Sequence, residues 1–166
     1  SLVQKAENTV GVLLGNGWYN QRDRTVEGCM WYDTPRLLCQ LEIEYTDGST
    51  ELVVTDDSWK TTTGPLLHDA IFTGEEYDAR LELDGWNRNG YKDSSWKKAL
   101  LVRAPKGSLH AQLAPHEKII RILQPVSCEQ KDDSTYWYAF PEMISGWAHI
   151  KVQGNAGDRI KLRFVG

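Results

Sequence analysis

The sequence predicts an all-β chain, a β-sandwich or jelly roll with a few short helical turns. Three observations point there. Short apolar runs recur along the 166 residues, separated by glycine, proline, asparagine and aspartate. Leu37 to Tyr45, Gly146 to Val152 and Ile160 to Val165 alternate apolar and polar positions with the period of a half-buried strand. No stretch carries the periodicity of a long amphipathic helix.

In chain order, Val10 to Leu14 is an apolar run closed by Gly15-Asn16-Gly17, a buried strand ending in a turn. Trp18-Tyr19-Asn20 follows directly. Gln21 to Thr34 has no clean period and reads as a loop with a short helical turn. Leu37 to Tyr45 and Thr50 to Thr55 flank Thr46-Asp47-Gly48-Ser49, so these segments form a hairpin. Asp56 to Lys60 and Gly64-Pro65 break the pattern. His68 to Phe72 is a strand leading into Gly74 to Trp86. Arg88-Asn89-Gly90 turns, and Asp93 opens a helical turn. Lys98 to Val102 and Leu109 to Leu113 read as strands. Beyond Pro115, Ile119 to Ile122, Pro125-Val126 and the aromatic Tyr136 to Phe140 begin a new section. Gly146 to Val152 and Ile160 to Val165 form a second hairpin around Gly154 to Gly157.

The totals exclude several function classes. Net charge is −4, and no basic block exceeds Lys97-Lys98, so nucleic acid is not an expected partner. No apolar run approaches 18 residues, so no membrane-spanning helix is expected. Cys29, Cys39 and Cys128 lack zinc-type spacing and read as unpaired thiols; they do not decide the compartment. His68, His110, His116 and His149 are scattered. Asp47, Asp56, Asp57 and Asp69 offer oxygens, but not at the spacing of a calcium loop. Phosphate-loop, dinucleotide and Gly-x-Ser-x-Gly patterns are absent.

Two features carry candidate chemistry. Seven tryptophans and seven tyrosines stand against three phenylalanines. Such rings stack on the C–H faces of sugars while their polar edges hydrogen-bond, although aromatics also simply favour sheets. The second feature is Gly74 to Trp86, with Glu75, Glu76, Asp78, Glu82 and Asp84. Glycosidases need two carboxylates. On a strand Glu76 and Asp78 would share a face, as would Glu82 and Asp84. Asp78 and Arg80 would share one too, and can either lock a loop as a bidentate pair or present a donor and an acceptor to vicinal hydroxyls.

Several motifs in order resemble the non-catalytic β-sandwich module near the N-terminus of bacterial α-L-rhamnosidases. Leu14-Gly15-Asn16-Gly17-Trp18-Tyr19 is similar to that family's Leu-Gly-x-Gly-Trp-Tyr. Thr55-Asp56-Asp57-Ser58-Trp59 follows the Asp47-Gly48 turn as the family's Thr-Asp-x-x-Trp does. Gly64-Pro65, Gly74-Glu75-Glu76-Tyr77-Asp78-Ala79-Arg80, Gly85-Trp86 and Asp93-Ser94-Ser95-Trp96 complete the series. The resemblance covers about Thr9 to Leu113. It thins after Pro115, where His116 follows and Ala139-Phe140-Pro141-Glu142-Met143 replaces an Asp-Phe-Gly-Gln-Asn-type motif. Gly146-Trp147 and its hairpin still fit the start of the family's next β-sandwich.

The resemblance implies a galactose-binding-like sandwich over 1–115, lacking its first strands, then a linker and opening strands of a second sandwich over 116–166. It implies a parent glycoside hydrolase acting on terminal α-L-rhamnosides, with its catalytic barrel beyond Gly166. This chain is therefore expected to be a non-catalytic accessory module that does not hydrolyse rhamnosides alone. In some members such a module binds L-rhamnose with the help of calcium; Gly17 offers no side-chain ligand for it. The resemblance places sugar contact at Asn16, Trp18 and Tyr19, with Asp78, Arg80 and Trp86 as neighbours if the fold brings them together. The alternative is a purely structural module that packs on the rest of the parent. Missing strands would also leave an open sheet edge, and so weak self-association.

Overall fold

The structure, a computed structural model, describes residues 6–21, 30–104 and 106–165. Its regular structure is strand and turn, with a single 3-10 turn at Ala79–Leu81 among the described residues. This is the all-β class the sequence predicts, built from small antiparallel sheets consistent with a β-sandwich. The chain divides into two compact units, Ser1–Pro105 and Lys106–Gly166.

Among its described residues the first unit holds four two-stranded ladders. β1 (Asn20–Gln21) pairs with β2 (Met30–Trp31), a pairing the irregular sequence there did not announce. The reading of residues 22–29 as a loop lies outside the described residues. β3 (Gln40–Glu44) pairs with β4 (Thr50–Val54), the hairpin expected from the Asp-Gly signal. Gly48 takes φ +83°, the left-handed conformation this turn requires. The Asp47 carboxylate accepts from the Ser49 N–H at 2.9 Å and its hydroxyl at 2.6 Å. Ile43 and Val53 lie half-buried on one face, as the alternation predicts.

β5 (Lys60–Thr61) pairs with β8 (Lys97–Lys98), the long-range ladder of this unit. Lys60 Nζ lies 2.7 Å from Asp93 Oδ1 beside it. Asp93 therefore serves a cross-strand ion pair, and its segment makes a turn rather than a helix, closed by Trp96 N–H donating to the Asp93 carbonyl. β6 (Leu66–Ala70) pairs with β7 (Gly74–Tyr77), so the strand begins two residues earlier than its apolar run suggests.

Val10 to Leu14 enters no ladder. It is fixed by side chains instead: Thr9 Oγ1 donates to Asn89 Oδ1 at 2.6 Å, and Asn89 donates to the Glu7 carbonyl. The Trp86 ring lies against Gly11, where an added Cβ would sit 2.4 Å from Cζ3. Lys98 to Val102 is a strand only at its first residue, and Leu109 to Leu113 forms none.

In the second unit β9 (Ser127–Gln130) pairs with β10 (Tyr136–Ala139). Lys131 Nζ sits 4.5 Å from the Trp137 ring centroid and 2.6 Å from Glu129 Oε1. The expected hairpin over 146–165 keeps its turn, with Asp158 N–H donating to the Asn155 carbonyl at 3.1 Å, but forms no ladder. Its alternating residues have no buried face to pack against, and burial of one face is what specifies register. Ile150, Val152, Ile160 and Leu162 are all exposed.

Among the described residues no apolar side chain is fully buried. The larger half-buried apolar side chains described in the first unit include Ile43, Val53, Trp59, Leu66, Leu83, Trp86, Tyr91 and Trp96. Tyr91 and Trp96 meet edge to face at 5.7 Å.

Gly11→Ala forces a carbon into the Trp86 ring and is expected to destabilise the first unit by about 1–3 kcal/mol; an unchanged denaturant midpoint would refute the close approach. Ser49 and Ser58 hydrogen bonds hold the Asp47 and Asp56 carboxyls below the usual carboxylate range, the side-chain hydroxyl contributing most in each. Their folded values lie below the unfolded ones. The stabilisation is thus present above about pH 4 and is lost as pH falls further, through the folded values. Amide exchange at Ser49 should accelerate relative to the unfolded reference on acidification, and Asp47→Asn should remove that dependence at this turn.

Candidate functional site

The loop Asn16 to Tyr19 is held against the β6–β7 hairpin by a polar brace. Asn16 N–H donates to Asp69 Oδ2 at 2.7 Å, and its side-chain amide donates to Asp69 Oδ1 at 2.6 Å and to the Asp69 carbonyl at 3.1 Å. Asn16 Oδ1 accepts from Asn20 Nδ2 at 2.6 Å. Gln21, only 1% exposed, completes the brace: its amide donates to the Gly17 carbonyl, and its Oε1 accepts from the Ile71 N–H at 3.1 Å. Buried polar groups must be satisfied; Gln21 is buried and Asn16 and Asp69 are half-buried, and the bonds that satisfy them reach across some fifty residues of sequence. Gly17 turns at φ +50°, and Gly15 keeps its backbone close to Asp69, where a Cβ would lie 3.2 Å from Oδ2.

The brace presents aromatics. Trp18 meets Phe72 edge to face at 5.5 Å, and Tyr19 stacks on Tyr32 at 6.0 Å with 22° between the planes. Trp18 is 56% and Tyr32 66% exposed. Tyr32 N–H donates to the Tyr19 carbonyl at 3.0 Å, extending the β1–β2 pairing.

Asp78 and Arg80 lie elsewhere. Phe72 is in the turn that joins β6 to β7, whereas Asp78 closes the opposite end, its N–H donating to the Pro65 carbonyl at 2.8 Å. The intervening strand separates the two by roughly 13 Å at 3.3 Å per residue. Asp78 is not on a strand face with Arg80 but caps the 3-10 turn, accepting from Arg80 N–H at 3.0 Å. The Arg80 guanidinium grips it with both prongs, Nε to Oδ1 at 2.8 Å and Nη2 to Oδ2 at 2.6 Å. That contact raises the Arg80 pKa further above its ordinary value. The clasp is therefore the arrangement present. Glu82, expected to share a strand face with Asp84, instead accepts from the Tyr77 hydroxyl at 2.7 Å and holds that phenol up. Trp86 packs on Gly11.

Of the predicted contact residues, the structure gathers Asn16, Trp18 and Tyr19, places Asp78 and Arg80 at the far end of the hairpin, and sets Trp86 against the Gly11 segment. Sequence reasoning missed Asp69 as the partner of Asn16, and missed Gln21, Phe72 and Tyr32. No spacing marks them, because the loop and the hairpin that join are distant in sequence.

Among the described residues the donor set does not fit a calcium ion. Calcium takes six to eight oxygens, several from carboxylates. Among the described residues of the brace the carboxylate is that of Asp69, and both its oxygens are engaged by Asn16 N–H groups. Asp47 and Asp56 are occupied in their own turns. Among the described residues no three histidine, cysteine or acidic side chains converge, and no helix is long and apolar enough to cross a membrane.

Residues 1–121 match the family model for the α-L-rhamnosidase N-terminal domain. The chain belongs to that family. An α-L-rhamnosidase of Alteromonas sp. is 33% identical over 99% of this chain, and one of Formosa agariphila is 34% identical over 99%. This chain spans only 18% of each. The solved structure of an α-L-rhamnosidase from Dictyoglumus thermophilum aligns with 64% of the chain at 39% identity and a TM-score of 0.61, using 12% of its own length. That from Aspergillus terreus aligns with 55% at 37% identity and a TM-score of 0.51, using 11%. The chain thus spans only a small part of the length of the relatives it matches.

Asp69→Ala removes two charge-assisted hydrogen bonds from this domain's brace and is expected to destabilise it by about 2 kcal/mol. Urea unfolding measures this; a loss below about 0.5 kcal/mol would mean that the brace contributes little.

Proposed function

We propose that the chain is a non-catalytic accessory module of an α-L-rhamnosidase-like glycoside hydrolase, and that it binds L-rhamnose or a related plant or bacterial glycan through Trp18 and Tyr19. The observation that carries the reading is the pre-formed loop, in which Asn16 is tied to Asp69 beneath two exposed aromatic pairs. A rigid aromatic face loses little freedom when a pyranose stacks on it. Asn16 holds that face, since its amide hydrogens are committed within the chain. Asp78, Arg80 and Trp86 stay outside the contact surface. The non-catalytic part of this reading is supported at the other end of the hairpin, where Asp78 is paired with Arg80 and Glu82 accepts from the Tyr77 hydroxyl.

A purely structural role is the second reading, favoured by apolar side chains left open, such as Leu113 at 97% and Ile120 at 96% exposure. These suit packing on the rest of a larger polypeptide. The two-stranded ladders also leave edges open, which supports weak self-association; a sedimentation profile that stays monomeric at millimolar concentration would count against it.

Titration with L-rhamnose separates the two readings. Saturable binding, weakened at least about tenfold by Trp18→Ala, is expected. Absence of any chemical-shift change at high millimolar sugar would leave the structural role, and rhamnoside hydrolysis by the chain alone would overturn both.

A further inference from the structure

We infer that the aromatic face is bipartite and takes two linked sugar residues, the second on Tyr32. This rests on the sugar-binding reading above. Trp18 and Tyr19 are consecutive, yet they take different aromatic partners from different parts of the chain: Phe72 from the β6–β7 turn and Tyr32 from the end of β2. The geometries differ too. Phe72 meets Trp18 at 81°, while Tyr32 lies nearly parallel to Tyr19 at 22°. A stacked pair covers its inner faces against each other and leaves the outer ones open, and Tyr32, at 66% against 40% for Tyr19, is the more exposed ring of the two. The tyrosine pair is thus not an extension of the Trp18 surface but a second surface.

The polar supply points the same way. The amide hydrogens of Asn16 and the amide of Gln21 are spent holding the loop, so among the described residues the rings themselves, with the Trp18 indole N–H and the Tyr19 and Tyr32 hydroxyls, are left to meet a sugar. Recognition by stacking is weak for one ring and gains with each added ring. A disaccharide therefore suits this surface better than a free monosaccharide.

The test compares L-rhamnose with a rhamnosyl-rhamnose disaccharide by titration calorimetry or amide shifts. The disaccharide is expected to bind the chain about tenfold more tightly or better. Tyr32→Ala should bring that ratio close to one, and Tyr32→Leu, which keeps bulk against Tyr19, should do the same if the alanine variant does not fold. Trp137→Ala on β10 should leave the ratio unchanged. Disaccharide binding without measurable monosaccharide binding also supports the inference. Equal affinities in the parent chain, or a ratio that survives both Tyr32 substitutions, would overturn it while leaving rhamnose binding intact. Failure of both sugars to bind overturns the sugar-binding reading, and this inference with it.

Discussion

The pairing of Asn16 with Asp69 is the constraint on which the candidate site depends. An irregular loop has no ladder to fix it, so something else must satisfy its backbone and set its direction. Here one carboxylate takes both the backbone and side-chain N–H groups of Asn16, and the Gln21 amide closes the other side against Gly17 and Ile71. The glycines on either side of Asn16 are part of the same device. Gly15 permits close approach to Asp69, and Gly17 supplies the left-handed turn that starts Trp18 on its course. The motif reads in sequence as a loop, but in the structure it is one half of a two-part joint.

The rest of the first unit is held by similarly local means. Ladders of two strands are marginal alone and depend on an apolar face closing against something. The half-buried residues of this unit make contacts in pairs, such as Tyr91 with Trp96 and Trp86 with the exposed Gly11, rather than through a continuous buried layer. Polar fasteners take a correspondingly large share: Lys60 with Asp93, Arg36 with Asp33 and the Arg103 carbonyl, Asp78 with Arg80. Exposed ion pairs contribute little each. Their value here lies in fixing where strands begin and end.

What the sequence made legible follows from the same physics. The β3–β4 hairpin was readable because its turn chemistry and its alternation agree, and both act over a few residues. The class of the fold was readable because many short runs point to strands even where individual bounds shift. The alternating runs near the C-terminus read equally well but form no ladder, because alternation specifies register only when one face is buried. The loop at Asn16 was recognisable as a candidate from its glycines and aromatics. Its partners were not, since Asp69 and Phe72 stand more than fifty residues away and look, in sequence, like ordinary strand residues.

Gly74 to Trp86 shows how one acidic stretch divides its labour. Read as a strand, its carboxylates would line up in pairs suited to acid–base chemistry. The chain instead leaves the strand at Asp78, which caps the 3-10 turn and receives Arg80 in a bidentate grip. A carboxylate so held has both oxygens occupied, which suits neither a general acid nor a nucleophile. Meanwhile the other end of the same hairpin carries Phe72 and receives the Asn16 loop. The hairpin is therefore a strut. One end is closed by charge, so that the other can hold its aromatic rings still.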